Sequence, residues 1–433
     1  MSRKYKLGLT RNRLFEFDNG VVFCGEYDFE KAGLSRALNL LCIKEPLITS
    51  FVSLENDGNA YVLTDAVEQG INFCPETADE LKKHYECYGV DAFSKTFEFS
   101  YTLDGFLVIA GHTALCDAKS LLRLASDLVE FYNEPLKSVE PSTIKLLSDK
   151  TDLPLEVASP LIDRLSADLD LKWQKDARFF AVKDFYEGKE AYGKIKGEVS
   201  CVGAKLDGSE IEGLKAFSEE QNADVVSLVG FAFYDALLQN MAGKKKFNKM
   251  NVYADERLFF TDFENYRIGA YNGITEVSYK KKLVNGELVD RAKAFHIECY
   301  KNATSTFKVF YDDVLLMRVS PALCDATYMY KAGLLKSKSA RTVAENYGCA
   351  CEKLCDYFYC NLDQRYWDSI KAFRDVYVAE PFKMRCATAL DFVLNNGEGH
   401  ITFRYKKQKC DDAMACKIMN TAMENIRKLS QKQ

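Results

Sequence analysis

The stretch of sequence that decides the fold is FEFSYTLDGFLVIAGHTALCDAKSLLRLASDLVEFY, residues 97–132. Its first half predicts two strands that turn at Asp104 and Gly105, because Asp-Gly is a dipeptide typical of tight hairpins. A helix is predicted directly afterwards, with Asp117 as its N-cap and Pro135 just past its end. The short loop between the second strand and this helix spans residues 112–116. The apolar face of the helix is formed by Leu121, Leu122, Ala125, Leu128 and Val129.

Three further stretches extend this organisation. Residues 25–51 predict a helix that leads past Pro46 into a strand. Residues 199–257 predict a strand, a helix, an almost entirely apolar helix from about Asp224 to Met241 that should be buried, and a strand over MNVYADER. Residues 387–408 predict a hairpin that turns between Asn395 and Gly399, and an amphipathic helix follows it. The apolar positions of that closing helix are Ala413, Cys416, Met419, Ala422, Met423, Ile426 and Leu429.

The second and the last of these stretches share one order of elements. Each is a hairpin followed by Cys-Asp and an amphipathic helix, with Cys116-Asp117 in the first and Cys410-Asp411 in the second. This repetition indicates two similarly built halves. They would divide near residues 180–198, where FYEGKEAYGKIKGE is polar and contains glycine, as expected of a linker.

Composition narrows the class of protein. The chain has 433 residues, of which 47% are apolar and 28% charged, which is typical of a globular protein with more than one structural unit. A formal net charge of -5 disfavours a protein that binds a nucleic-acid backbone. The sequence has no signal peptide and no apolar run long enough to span a membrane, and its 15 cysteines are best interpreted as reduced thiols. We therefore expect a cytoplasmic, stand-alone chain that works as a monomer.

The segment LVIAGHTALCDAKSLLRLASDLVEFY, residues 107–132, resembles the active-site segment of the condensation-domain and chloramphenicol-acetyltransferase-like superfamily. The signature of that family is His-His-x-x-x-Asp-Gly at the end of a strand and the entry to a helix. Residues 27–51 are similar to the family's opening helix and strand, residues 251–277 to its strand ending in Asp-x-Arg, and residues 358–364 to a later Ser-Asn-Leu-Gly-like strand. The final hairpin and helix follow in the family's order, so the resemblance covers most of the chain.

This resemblance implies a fold and an activity. The fold is α/β (α+β in mixed-sheet terms), with two acetyltransferase-like subdomains, residues 1–185 and 186–433, arranged in a V around a tunnel. The activity is transfer of an acyl group from a thioester to a hydroxyl or an amine. The donor would be an acyl-coenzyme A or the phosphopantetheine thioester of a carrier protein, so no tightly bound cofactor is expected.

The signature motif itself is incomplete. Aligning Asp117-Ala118-Lys119-Ser120 on the family's Asp-Gly-x-Ser places His112 on the first, variable His, and Thr113 on the second His, which is the family's general base. A threonine hydroxyl is not basic near neutral pH. His112 would replace the base only if the loop turned it inward, because neighbouring side chains at a strand end point to opposite faces. His112 and Thr113 are therefore the candidate catalytic residues, and the family implies that Asp117 is structural and pairs with Arg257.

Cysteines outside the motif favour packing roles. Cys116 and Cys324 lack a His at a recognisable spacing, which indicates buried free thiols rather than nucleophiles. Four cysteines cluster in a segment that predicts a helix running into a strand. With no Cys-x-x-Cys pair and no nearby His, we predict no metal site there. These four are Cys349, Cys351, Cys355 and Cys360.

Histidines and lysines complete the set of candidates. His84, His296 and His400 are isolated in the sequence and are expected at the surface or in packing. Three lysine runs are expected to be solvated; their functional interpretation is capture of a phosphate of coenzyme A or phosphopantetheine. They are Lys244 to Lys246, Lys280 to Lys282, and Lys406 with Lys407.

Two functions from different classes remain open. The first is an acyltransferase that acts on a small-molecule donor and acceptor, with or without a carrier protein. The second is a catalytically inactive relative that keeps the fold and only binds an acyl ligand or a partner. An enzyme requires a base that faces the tunnel, whereas a binding protein predicts an apolar or blocked centre at Thr113.

Overall fold

The computed structural model describes residues 3–147, 152–154, 160–174, 178–241, 249–261, 267–278, 283, 285–317, 319–346, 353–362, 370–384 and 386–431. The strands are β1 Arg3–Lys6, β2 Gly20–Glu26, β3 Phe51–Leu54, β4 Ala60–Thr64, β5 Ile71–Phe73, β6 Phe97–Tyr101, β7 Phe106–His112, β8 Val199–Leu206, β9 Lys249–Asp255, β10 Asn272–Ser278, β11 Lys353–Asn361, β12 Arg374–Ala379, β13 Cys386–Asn395 and β14 Glu398–Lys406. The α-helices are α1 Lys31–Lys44, α2 Ala78–Tyr88, α3 Ala118–Asn133, α4 Pro160–Trp173, α5 Val182–Lys196, α6 Gly208–Gln221, α7 Val225–Met241, α8 Leu288–Ala303, α9 Thr306–Val309, α10 Tyr311–Met317, α11 Pro321–Lys331, α12 Lys338–Asn346 and α13 Asp412–Ser430.

Two larger sheets organise the chain, and a small sheet of order β1-β4-β3 lies beside them. The N-terminal sheet has the order β12-β2-β7-β6-β5, and the C-terminal sheet has the order β10-β9-β11-β13-β14-β8. In the first, β2 and β6 pair antiparallel with β7, and β5 pairs parallel with β6. In the second, β8 and β13 pair antiparallel with β14, and β11 pairs parallel with β13. Four strands of each sheet therefore share one topology, and the mixed α/β fold expected from the sequence is confirmed.

The predicted hairpins and their following helices are present in both halves. The strands β6 and β7 turn through Gly105, whose φ of 85° is a conformation that glycine adopts without strain. The helix that follows each hairpin is capped by the aspartate of the Cys-Asp pair. Asp117 accepts a hydrogen bond from Ser120 N, and Asp411 accepts one from Met414 N.

The long apolar helix α7 is buried along most of its length, as predicted. Its one acidic residue, Asp235, is buried and accepts hydrogen bonds from Arg291 and Asn425. These partners compensate the carboxylate inside the C-terminal core. No helix in the described part of the chain is long and apolar enough to cross a membrane.

The segment predicted to be a linker is instead a helix. Residues 182–196 form α5, which buries Phe185 and Tyr192 among the side chains of the N-terminal core. Lys196 ends the helix as the partner of the buried Asp18. The predicted linker segment is therefore helical and packed, because its apolar residues lie on one helical face. The boundary between residues 185 and 186 stays a prediction.

The two halves are joined by a strand that crosses between them. β12 belongs to the C-terminal part of the sequence but pairs antiparallel with β2, at the edge of the N-terminal sheet. The chain then turns back through residues 380–384 into β13 of the other sheet. This crossing brings the residues that follow β12 beside the loop between β7 and α3.

Candidate active site

The loop between β7 and α3 folds tightly back on the end of its own strand. Thr113 N donates to Asn19 O at 2.8 Å, and Cys116 N donates to His112 O at 3.1 Å. Gly111 permits this close approach, because a Cβ at this position would lie 2.4 Å from Cys116 Sγ. The loop is therefore fixed by backbone contacts before any substrate arrives.

Asp117 and Arg257 form a buried ion pair between the two halves of the chain. Arg257 Nη1 donates to Asp117 Oδ2 at 2.7 Å, and Nη2 donates to Oδ1 at 3.0 Å. Asp117 also accepts hydrogen bonds from Ser120 N at 2.8 Å and from Tyr271 N at 3.1 Å. The contact predicted from the motif is thus present. The hydrogen bonds that the Asp117 carboxylate accepts come from Arg257 and from the residues around it, so this carboxylate fits a role in ordering the loop.

The charge of Arg257 is secured by its acidic neighbours. Burial disfavours the charged guanidinium, but Asp117 and then Asp255 outweigh this effect and raise the pKa of Arg257 above its ordinary value. Asp255 itself is held in place by Lys119, whose Nζ donates to Asp255 Oδ2 at 3.0 Å. The start of α3 and the end of β9 are therefore linked by two ion pairs.

His112 is completely buried at the end of β7. Its Nδ1 accepts a hydrogen bond from Ala114 N at 3.1 Å, and its Nε2 has no hydrogen-bond partner among the described residues. Burial, reinforced by the positive charges of Lys189 and Lys383, lowers the pKa of His112 to about 3. The imidazole is neutral at physiological pH, and its catalytic role stays a prediction.

A cavity lies directly beside this loop. It has a volume of about 30 Å³, which is room for roughly two water molecules. Its walls come from both halves of the chain, and Thr113 lines it whereas His112 does not. The lining residues are Arg13, Glu16, Thr113, Cys116, Asp117, Tyr253, Ala270, Asn272, Ile274, Asp312, Tyr328, Glu380 and Lys383.

Glu380, the residue after β12, is the site residue that the sequence analysis missed. Its Oε1 accepts a hydrogen bond from Ala118 N, in the first turn of α3, at 2.7 Å, and a second from Asn272 Nδ2. The carboxyl is buried, and burial together with the nearby charge of Asp117 raises its pKa to about 7. The only sequence signal was a single acidic residue at the end of the apolar strand VYVA.

Two other ion pairs neutralise charges around the cavity. Lys383 Nζ lies 3.0 Å from Glu16 Oε1, and both side chains are buried. Arg13 Nη2 donates to Asp313 Oδ1 at 2.9 Å. Buried charged side chains therefore lie in the cavity wall, next to apolar ones such as Ala270 and Ile274.

The cysteine candidates occupy separate places. Cys116 lines the cavity, and its pKa lies well above the ordinary value because of burial and the charge of Asp117, which disfavours a thiolate. Cys324 is also buried. Cys355 lies on β11 rather than on the predicted helix. Because side chains alternate along a strand and Cys360 is five residues further on, the two cysteines point to opposite faces of the sheet and pack in different cores. Cys349 and Cys351 lie outside the described residues.

Of the remaining predicted residues, those that the structure describes do not line the cavity, and the others lie outside the described part of the chain. Lys406 is buried and donates to the carbonyl oxygens of Lys383 and Met384, so the expectation that it is solvated was wrong. Its neighbour Lys407 pairs with Glu198. The runs at residues 244–246 and 280–282 lie outside the described residues. No cluster of three or more metal-binding side chains occurs in the ranges that the structure describes.

The three isolated histidines lie away from the motif loop. His84 is exposed on α2, and His400 lies on β14. His296 Nδ1 lies 2.9 Å from Asp224 Oδ2, beside the start of α7. None of the three lines the cavity.

Solved structures with this architecture are similar to nearly the whole chain. Trichothecene 15-O-acetyltransferase from Fusarium sporotrichioides aligns with a TM-score of 0.62 and 12% identity, over 99% of this chain and 96% of that one. The epimerization domain from the third module of tyrocidine synthetase B aligns with a TM-score of 0.60 and 10% identity, over 99% and 97%. The condensation domain of the monacolin K polyketide synthase aligns with a TM-score of 0.59 and 10% identity, over 99% and 98%.

Sequence comparison gives no such link: no protein-family model and no curated protein sequence matches the chain. At 10 to 12% identity the structural similarity concerns the fold, not the activity. It extends from end to end and includes both larger sheets. The chain therefore shares the two-subdomain fold of these epimerization, condensation and acetyltransferase structures, as the resemblance of the motif segment led us to expect.

Proposed function

We propose that the protein transfers an acyl group from a thioester donor to a hydroxyl or amine acceptor at the cavity beside Thr113. The observation that carries this proposal is the position of the cavity. It lies between the two halves, next to the motif loop, and its lining includes a buried carboxyl, Glu380, with a pKa near 7. Glu380 thus supplies a titratable group beside the motif loop, which an enzyme using acid–base catalysis needs.

The residues of the loop suit such a reaction. Thr113 lines the cavity, and we propose that its hydroxyl hydrogen-bonds an acceptor or the developing oxyanion. The pair of Asp117 and Arg257 fixes the loop against the C-terminal half, so that Thr113 and Glu380 keep their relative positions. Positioning of this kind contributes to catalysis because the reacting groups need not be ordered during the reaction.

The donor that we propose is the thioester of coenzyme A or of a carrier-protein phosphopantetheine. Support for this class comes from proteins of the same fold, one of which is an acetyltransferase and another a condensation domain of a polyketide synthase. The small acceptor and donor would meet at the cavity. A carrier protein is a proposed partner only for the second kind of donor.

One observation favours the alternative function, binding without turnover. A cavity of about 30 Å³ admits water but no acyl chain. Acyl transfer therefore requires the lining side chains to move apart when substrates bind. A protein that only binds a partner protein at another surface needs no such movement.

Thiol release distinguishes the two functions. The chain is incubated with a panel of acyl-coenzyme A and acyl-phosphopantetheine thioesters, with and without mixed alcohol and amine acceptors. We expect release that depends on an acceptor, together with an ester or amide product detected by mass spectrometry. Binding of the thioesters without acceptor-dependent release, in the wild type and in Thr113→His, would support the binding function instead. Activity confined to Thr113→His would identify a relative that has lost its base.

A further inference from the structure

We propose that Glu380 is the base of this reaction, and that it takes over the task that the family assigns to the second histidine of its motif. This inference rests on the proposed function. Glu380 does not belong to the motif. It follows β12 and lies 262 residues away in sequence from Ala118, whose amide is its hydrogen-bond donor.

The hydrogen bonds of Glu380 orient one oxygen and leave the other for a substrate. Oε1 accepts the amide of Ala118 and the side chain of Asn272. Oε2 accepts no hydrogen bond from the residues that the structure describes, and the side chain lines the cavity. A carboxylate that is held through one oxygen and belongs to a residue lining a cavity has the arrangement that a general base requires.

The other buried carboxylates that line the cavity are committed elsewhere. Asp117 is bound by Arg257 through both oxygens. Glu16 is paired with Lys383 at 3.0 Å. Glu380 makes no ion pair with a described residue, although the nearby positive charge of Lys383 favours its carboxylate form. Of these three carboxylates, it is the one free to accept a proton.

The charges that face Glu380 explain why it titrates near neutrality. Burial and the negative charge of Asp117 favour the protonated form, whereas Lys383 and the amide of Ala118 favour the carboxylate. Arg404 Nη2 donates to the carbonyl oxygen of Glu380 at 2.9 Å. With a pKa of about 7, both forms are populated at physiological pH. The other titratable and charged groups that line the cavity are Arg13, Glu16, Cys116, Tyr253, Asp312 and Tyr328.

Glu380 alone can accept the proton of the acceptor and return it to the departing thiolate. As the oxygen or nitrogen of the acceptor attacks the thioester carbonyl carbon, its proton passes to Glu380 Oε2. The carbon–sulfur bond then breaks, and the departing thiolate takes the same proton from the Glu380 carboxyl. The products are an ester or amide and a free thiol, and Glu380 returns to its carboxylate form.

Three variants test the inference through the pH dependence of acceptor-dependent thiol release. Glu380→Gln keeps an oxygen acceptor for Ala118 N but cannot take a proton, and Glu380→Asp retains a carboxyl. The matched control is Glu256→Gln, because Glu256 is a buried carboxyl whose pKa is raised well above its ordinary value by burial and by Asp313, and it does not line the cavity. Circular dichroism and thermal melting establish that each variant is folded.

The expected result is a ~10²- to 10⁴-fold lower kcat for Glu380→Gln, which is the usual contribution of a general base. The wild-type rate should rise with pH up to about 7 and then level, and Glu380→Gln should lose this step. Glu380→Asp should recover part of the rate, and Glu256→Gln should retain it.

Three outcomes would overturn the inference, and they are distinguishable from one another. A folded Glu380→Gln with nearly wild-type kcat and an unchanged pH profile would remove Glu380 from the chemistry while leaving acyl transfer intact. Loss of the rate in a further variant, His112→Asn, with Glu380→Gln unaffected, would assign the proton to the imidazole. A wild type that releases no thiol with any donor and acceptor would refute the proposed function as well.

Discussion

Replacing Arg257 by leucine tests whether the ion pair with Asp117 holds the two halves together at the motif loop. Arg257 donates to both oxygens of Asp117 and also to Ser120 Oγ, Asp255 Oδ1 and the carbonyl of Arg267, at 2.7 to 3.3 Å. Arg257→Leu leaves the buried carboxylate of Asp117 without its cationic partner. Breaking a buried pair on one side costs about 3–5 kcal/mol, which for a chain of this size lowers Tm by roughly 3–6 °C.

Thermal and urea unfolding of the wild type and the variant measure this cost. The double variant Arg257→Leu with Asp117→Asn should be less destabilised than the sum of the two single variants, because the isolated charge is then gone. Arg374→Leu, which breaks an exposed pair with Glu26, is the matched control and should leave Tm unchanged within error. A cost below about 1 kcal/mol for Arg257→Leu, or strict additivity in the double variant, would refute the reasoning.

Three further predictions concern stability and reactivity. The pKa of Glu380 is about 7 in the folded protein and 4.5 ordinarily. Its protonated form is therefore favoured by folding, and the stabilisation that results is fully present below pH 4.5 and is lost as the pH rises through 7. Urea titrations should therefore show that the unfolding free energy of the wild type falls by about 3 kcal/mol more than that of Glu380→Gln between pH 4.5 and 8; equal slopes would contradict this. Gly111→Ala should destabilise by about 1–3 kcal/mol, because its Cβ would meet Cys116 Sγ and Phe97. A Cβ at Gly193 on α5 would contact no atom beyond the backbone of its own helix, so Gly193→Ala should instead stabilise the protein by about 0.5–1 kcal/mol. If both alanine variants were destabilised, the close contact at Gly111 would not be the cause of its effect. Cys116 is buried and its pKa is raised, so it should resist alkylation by iodoacetamide in the folded protein, whereas the exposed Cys87 should react. Peptide mass mapping measures the labelling of each cysteine. Rapid labelling of Cys116 would mean that the cavity opens.

Local sequence patterns predicted the elements around the motif because those elements depend on local chemistry. The Asp-Gly turn, the N-cap at Asp117 and the apolar face of α3 are determined within a few residues. The repetition of hairpin, Cys-Asp and helix pointed to two halves, and the two sheets share four strands of one topology. The contact between Asp117 and Arg257 followed from the family resemblance, since nothing local links residues 140 positions apart.

What the sequence did not predict depends on tertiary contacts. The segment at residues 182–196 is polar enough to resemble a linker, but Phe185 and Tyr192 fall on one face and bury it as α5. The crossing of β12 to the N-terminal sheet leaves no periodic signal, and Glu380 becomes a site residue only because of that crossing. Lys406 is buried because its ammonium group donates hydrogen bonds to two backbone carbonyl oxygens of a neighbouring segment.

The central claim is that acyl transfer takes place at the cavity beside Thr113 with Glu380 as base. The most direct test is acceptor-dependent thiol release by the wild type, measured from pH 5 to 9 with the best donor and acceptor of the panel. We expect a rate that rises about tenfold per pH unit well below 7 and levels above it, with stoichiometric ester or amide product. A rate that is independent of pH across 7, or thiol release without an acylated acceptor, would contradict the claim.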